Sequence, residues 1–267
     1  VPMTAAQLQL FALSDFPLVE PGDDLARLID ASLSANQQTL EEGDVLVLAQ
    51  KIVSKAEDRY VDLKQVEPTA EALSLAAAVD KDPRIVSVIL DESTAVVRHC
   101  PGVLIVEHRL GYVMANAGID ASNIEHAESE KGDDLVERVL LLPNNPDQFA
   151  ADLAEQLLQV HGVRVAVIIN DSVGRAWRNG TTGLALGAAG LAALDDRRGD
   201  KDLYGRTLLV TEVAVADQLA SAAALLQGEG GEGKPLVIIR GYNFESSPER
   251  CNGVSALLRD KERDLFR

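Results

Sequence analysis

The chain has 267 residues, 46% hydrophobic and 25% charged, enough to bury one large core and too apolar for a disordered segment. Its net charge of −17 works against nucleic acid and anionic membrane surfaces, and no apolar run approaches the roughly 18–20 residues of a membrane span. Only 4% of residues are aromatic, so the core has to come from Ala, Val, Leu and Ile; two cysteines, Cys100 and Cys251, are too few for a disulfide framework.

In chain order, residues 21–35 place Leu25, Leu28, Ile29 and Leu33 at helical spacing behind a turn and two aspartates, an amphipathic helix. VLVLAQ is a buried strand that breaks into the basic QKIVSK. Helices follow from Thr69 to Val79 and behind Asp82, which caps a helix with Pro83 at its first position. TAVVRH, VLIVEH and GYVMANAG are separated by Pro101, Gly102 and Gly111 and read as an antiparallel meander. The charged stretch 125–134 reads as a solvated, mobile loop. A helix ending at Gly162 leads into the strand VRVAVIIN, whose exit carries NDSVGRAWRNG. After a long segment at 180–205, RTLLVTE reads as a strand, AVADQLASAAALLQ as a helix, PLVIIR as the last strand, and the end of the chain as a partly helical tail. Strands pair as neighbours and alternate irregularly with helices, the pattern of an α+β fold with mixed, largely antiparallel sheets and flanking helices.

Four polar segments follow strand patterns, and each admits a functional and a plain reading. Lys51 and Lys55, four apart, suit phosphate oxygens, or form a solvated basic turn. Asp120 and Asn123 lie among small residues and offer hard oxygens to magnesium or manganese, or are ordinary turn residues. Asp171 and Ser172 follow their strand as metal-binding groups do beside a nucleotide, while Arg175 and Arg178 could grip a carboxylate; a capped strand end is the alternative. QGEGGEGK (227–234) is a glycine-rich loop without the features of a P-loop, and alone reads as a linker. His99, His108, His126 and His161 show no metal spacing.

Taken together, GDVLVLAQKIVSKAEDR, DPRIVSVILDES, GYVMANAGIDASN, LLPNNPD, VIINDSVGRAWRNG, RTLLVTEVAVADQLASAA and PLVIIRGY resemble the coenzyme F-420-0:L-glutamate ligase family, from about residue 10 to residue 242. The resemblance implies a family-specific α+β ligase fold over residues 1–245, with room for two interleaved subdomains, and a tail at 246–267. It implies a homodimer that uses GTP and two divalent ions, manganese or magnesium, with potassium as a further ion; the lack of a span-length apolar run and of a signal-peptide pattern makes the cytoplasm the simplest expected compartment. GTP would phosphorylate the carboxylate of coenzyme F-420-0, and the amine of L-glutamate would displace phosphate to form an amide.

By matching motifs, Asp120, Asp171, Ser172 and Glu229 correspond to metal-binding positions, with Ser172 standing where threonine is usual. Phe16, Pro17, Leu18 and Val19, then Gln50, Lys51, Lys55 and Asn123, correspond to nucleotide-binding positions. So do Gln227, Gly228, Glu229, Gly230, Gly231, Glu232, Gly233 and Lys234. Arg175 and Arg178 are left as candidate catalytic residues on the acceptor side. Gly183 and Ala176 depart from the family pattern next to the place expected for the acceptor. The alternatives are the same chemistry on another carboxylate, and a non-catalytic GTP- or metabolite-binding module.

Overall fold

Residues 7–123, 138–243 and 251–264 are described by the computed structural model, so the charged stretch at 125–134 falls outside them. The first half of the chain forms β1 (Gln9–Ala12), α1 (Leu25–Ala35), β2 (Val45–Ala49), α2 (Gln50–Ala56), β3 (Tyr60–Asp62), α3 (Ala70–Val79), α4 (Pro83–Asp91), β4 (Ser93–Cys100), β5 (Val103–His108) and β6 (Val113–Ala115). The second half adds β7 (Arg138–Leu140), α5 (Pro146–His161), β8 (Ala166–Arg175), β9 (Arg178–Ala189), β10 (Leu194–Asp196), β11 (Glu212–Ala214), α6 (Val215–Gln227) and β12 (Leu236–Arg240).

Continuous apolar runs become the inside of one mixed sheet, ordered β1-β12-β2-β8-β9, in which β2 and β8 run parallel and the other neighbours antiparallel. A strand covered on both faces needs apolar residues at every position, which is why VLVLA and AVIIN do not alternate. Val45, Val47, Ile168, Val237 and Ile239 pack toward α6, while Leu46, Leu48, Val167, Ile169 and Ile238 share a core with α1 and α5. A smaller core joins α3 and α4 to the β4-β5-β6 meander through Ala72, Ala76, Val86, Ile89, Leu104 and Val106. Helix starts obey the capping chemistry of the sequence: Asp24, Thr69, Asp82 and Asn145 each accept a backbone N–H, and Pro83 and Pro146 open their helices. No helix among the described residues is long and apolar enough to cross a membrane.

Three sequence expectations need correction. NDSVGRAWRNG is not a loop beyond a strand: β8 continues through Asp171 and Ser172 to Arg175 and turns at Ala176 and Trp177 into β9. Trp177 takes a left-handed φ of 60° there. Strand β9, unmarked in the sequence, is built from small residues because helices press on it: a Cβ at Gly183 would come 2.5 Å from Ala220 O, and one at Gly187 2.4 Å from the Pro146 carbonyl carbon. RTLLVTE is mostly not a strand. It forms the return limb of an exposed arm, where Gly199 and Leu208 exchange backbone hydrogen bonds with their opposite limb and Leu209 and Val210 are 76% and 84% exposed. At the end of the chain, Val254 is buried in the main core and its N–H donates to Asp147 Oδ1 at 2.9 Å.

Candidate functional site

The parallel pair β2 and β8 ends in register, Ala49 beside Asn170. Ligands in α/β sheets sit beyond such carboxyl ends, because the chains leaving them diverge and open a crevice. Here α2 leaves β2 on one side, β8 runs on into its hairpin, and α6 ends against both at Gln227. The crevice is a cleft of about 770 Å³.

All of the nucleotide and metal candidates except Glu232 line this cleft: Phe16 to Val19, Gln50, Lys51, Lys55, Asp120, Asn123, Asp171, Ser172, Gln227 to Gly231, Gly233 and Lys234. Glu232 instead braces the glycine loop from beneath, accepting Gly230 N at 2.8 Å. Gln50 and Gln227 have buried side chains committed to the fold. Gln50 Oε1 accepts Ser54 Oγ at 2.8 Å, and Gln227 Nε2 donates to Val47 O and Pro235 O, each at 3.1 Å. Arg175 and Arg178 do not reach the cleft. Arg175 lies three residues beyond Ser172 on an extended strand, about 10 Å further out, and with Trp177 and Arg178 it is exposed at the hairpin tip. Gly183 and Ala176 do not line the cleft either, and α6 packing accounts for the glycine.

Within the cleft the charges are paired across segments far apart in sequence. Lys51 Nζ lies 2.7 Å from Asp120 Oδ2 and donates to Ser122 Oγ at 2.8 Å. Burial disfavours the Asp120 carboxylate, but hydrogen bonds from Lys51 and Ser122 outweigh it and hold the group below its ordinary value. Lys55 Nζ donates to Asn123 O at 2.8 Å, and Asn123 Nδ2 to Gly230 O at 3.2 Å, so α2, the meander and the glycine loop close on one another. Burial, and then the neighbouring Lys51, lower the Lys55 pKa. Ser172 Oγ donates to Glu229 Oε1 at 2.7 Å. Asp171 is pushed up to about 6, first by burial and further by Asp120 and Glu229, against the opposing Ser172 N–H and Lys51.

No three of the described His, Cys, Asp and Glu side chains converge as a ready-made metal cage. The donor set of Asp120, Asp171, Ser172 and Glu229 nevertheless fits a hard divalent ion, since every donor is oxygen. Asp120 and Glu229 disfavour the ionised Asp171, and a bound cation would relieve that mutual repulsion.

Two cleft residues were passed over in the sequence. Asn170, 4% exposed, and Asn116 each present a buried Oδ1 without a partner, an arrangement that costs about 1–3 kcal/mol per group. Asn116 and Ala117 also hold left-handed φ values of 53° and 54°, strain of the kind that collects at binding sites. Both asparagines stood in quoted motifs, but nothing local to the sequence separates an orphan amide from a turn residue.

A family model described as F420-0:gamma-glutamyl ligase matches residues 15–241. The coenzyme F420:L-glutamate ligase of Methanothermobacter thermautotrophicus is 43% identical over 260 residues, covering 97% of this chain and 99% of its own. The protein of that name from Methanopyrus kandleri is 46% identical over 252 residues, with 93% of each chain covered. That from Archaeoglobus fulgidus is 39% identical over 261 residues, with 98% and 97% covered.

Proposed function

Because this chain belongs to the F420-0:gamma-glutamyl ligase family, a family of ligases, we propose that it forms an amide between L-glutamate and the carboxylate of coenzyme F420-0. In this reading GTP activates the carboxylate as an acyl-phosphate. The observation that carries the proposal is the cleft, which gathers basic, carboxylate and glycine-rich segments spread from residue 16 to residue 235.

The chemistry asks for such a site. A carboxylate is a poor electrophile, and phosphorylation turns its oxygen into a leaving group. Lys51, Lys55 and Lys234 offer positive charge to phosphate oxygens, and the glycine loop lets backbone approach them. Asp120, Asp171, Ser172 and Glu229 would hold two divalent ions, manganese or magnesium, with a potassium ion as a further component. Bound metal would neutralise charge on the phosphoryl group in flight. A cytoplasmic setting goes with this reading, because GTP and glutamate are supplied there. A homodimer is supported by the exposed arm, which carries Leu203, Tyr204, Leu209 and Val210 at exposures of 98%, 91%, 76% and 84%.

Incubation with GTP, manganese, L-glutamate and coenzyme F420-0 should release GDP in step with a glutamylated product identified by mass spectrometry. GDP release that depends on a different carboxylate would replace the acceptor. Manganese-dependent nucleotide binding without turnover, whatever carboxylate is offered, would favour a non-catalytic binding module.

A further inference from the structure

Lys51 and Asp120 meet in the cleft from segments with unequal freedom. Asp120 is tied at its backbone, where its N–H donates to Leu140 O at 3.1 Å and its carbonyl accepts Leu140 N at 2.8 Å. Its side chain is tied again within its own turn: Oδ1 accepts Ser122 N at 2.7 Å and Oδ2 accepts Ser122 Oγ at 2.9 Å. The carboxylate therefore keeps its place whether or not a lysine meets it. Lys51 carries its charge on a flexible four-carbon stem and is held at the tip, where Nζ lies 2.7 Å from Asp120 Oδ2 and donates to Ser122 Oγ at 2.8 Å. Both residues line the cleft, with side chains 25% and 38% exposed.

The two groups suit different ligands. Asp120 is one of the oxygen donors fit for a divalent cation, and Lys51 is a donor-only cation fit for phosphate oxygens. A cation that comes to Asp120 has to displace a backbone N–H, a hydroxyl or the ammonium, and the ammonium is both repelled by it and free to leave. A partly exposed ion pair is weak, so giving it up costs little. The charge of Lys51 also reaches the neighbouring carboxylate: burial raises Asp171 most and Asp120 and Glu229 raise it further, while Ser172 N–H and Lys51 oppose them. One ammonium thus serves more than one carboxylate, and a divalent ion in the same cluster does so with twice its charge. Lys55, one helical turn further along α2, donates to a backbone carbonyl instead, Asn123 O.

Resting on the metal and nucleotide reading above, we infer that Lys51 is an exchangeable counter-ion: it surrenders Asp120 to a divalent cation and turns to the phosphates of the nucleotide. Cation and nucleotide then bind cooperatively through this one side chain. Nucleotide arriving alone finds Lys51 engaged by Asp120, and cation arriving alone has to displace an ammonium that gains no phosphate in return. When both are present each relieves the other of that cost, and the coupling is reciprocal.

The test begins with manganese alone, its affinity read from the electron paramagnetic resonance of the free ion, for the unaltered protein and for Lys51→Met. Lys51→Met should bind manganese at least about threefold more tightly, because the ion no longer competes with an ammonium. The gain should survive about 0.5 M sodium chloride, which screens charges more than a few ångströms apart. Calorimetric titration with GTP closes the cycle: Lys51→Met should cost at least about tenfold in GTP affinity at saturating manganese, and less than about threefold when divalent ions are removed with EDTA. Should Lys51→Met fail to fold, Lys51→Gln, which keeps an N–H donor for Ser122, is read in the same way. Manganese affinity that is unchanged or weaker in the variant overturns the exchange and leaves Lys51 a structural partner of Asp120. A gain that vanishes in salt overturns it in favour of a general charge effect. An equal GTP penalty with and without manganese overturns it in favour of a fixed phosphate contact. Both shifts without any glutamylated product would remove the ligase reading and leave the exchange standing.

Discussion

The two ends of the β8–β9 hairpin carry similar chemistry and behave differently. At its root, Asp171 and Ser172 are partly buried, and they meet the glycine loop through Glu229 and the meander through the influence of Asp120. At its tip, Arg175 donates to Gly180 O within the same turn, and Trp177 is 81% exposed. By residue type alone, the arginines at the tip are as eligible for a binding role as the carboxylate at the root. Depth and partners decide otherwise: a charge in a shared, partly dehydrated cleft acts on its neighbours, while one at an exposed tip is screened.

Breaking the root should therefore have the largest effect. Asp171→Asn is expected to lower metal-dependent turnover by about 100-fold or more, with near-native circular dichroism and melting behaviour; retention of activity would remove Asp171 from the site. Next comes the opposite wall. If the cleft binds GTP as proposed, Lys51→Met should weaken that binding by about 10- to 100-fold in calorimetric titrations, because it removes a positive charge from the cleft and leaves Asp120 without its ion pair.

The root also depends on how the meander is held against α2, and Glu92 makes that joint. It lies 3.1 Å from Arg59, 3.0 Å from Arg109 and 3.4 Å from buried His108. Burial disfavours its ionised form, but His108 and Arg109, with the charge of Arg59, overcome this and hold its pKa at about 2. A depressed carboxylate stabilises the fold fully above its unfolded value of 4.5 and loses that contribution as pH falls toward 2. Thermal melts of Glu92→Gln should thus show roughly 2–3 kcal/mol lower stability near neutrality, a difference that closes as the pH falls from 4.5 to 2. A constant difference across that range would assign Glu92 a packing role only. The smallest effect belongs to the tip: Arg175→Ala and Arg178→Ala should each change kcat/KM for GTP by less than about threefold. A large loss there would show that the tip reaches a site the single chain does not contain.

Much of this architecture was legible in the sequence because its causes are local. Capping residues and prolines mark where α1, α3, α4 and α5 begin, and continuous apolar runs mark β2, β8 and β12. Strand β9 was not legible because Gly183 and Gly187 answer to helices distant in sequence. RTLLVTE misled because β-branched and aliphatic residues signal burial, and here they lie on an exposed arm. The lining of the cleft followed from motif resemblance, whereas the orphan amides of Asn170 and Asn116 needed coordinates, since an unmet hydrogen bond is a property of the neighbours as much as of the residue.

If GTP activates a carboxylate in the cleft rooted at Asp171, an oxygen atom must pass from that carboxylate to phosphate. With coenzyme F420-0 labelled with ¹⁸O in its reacting carboxylate, ligation in the presence of GTP, manganese and L-glutamate should move one labelled oxygen into the released phosphate. Glutamylated product accompanied by wholly unlabelled phosphate would rule out an acyl-phosphate.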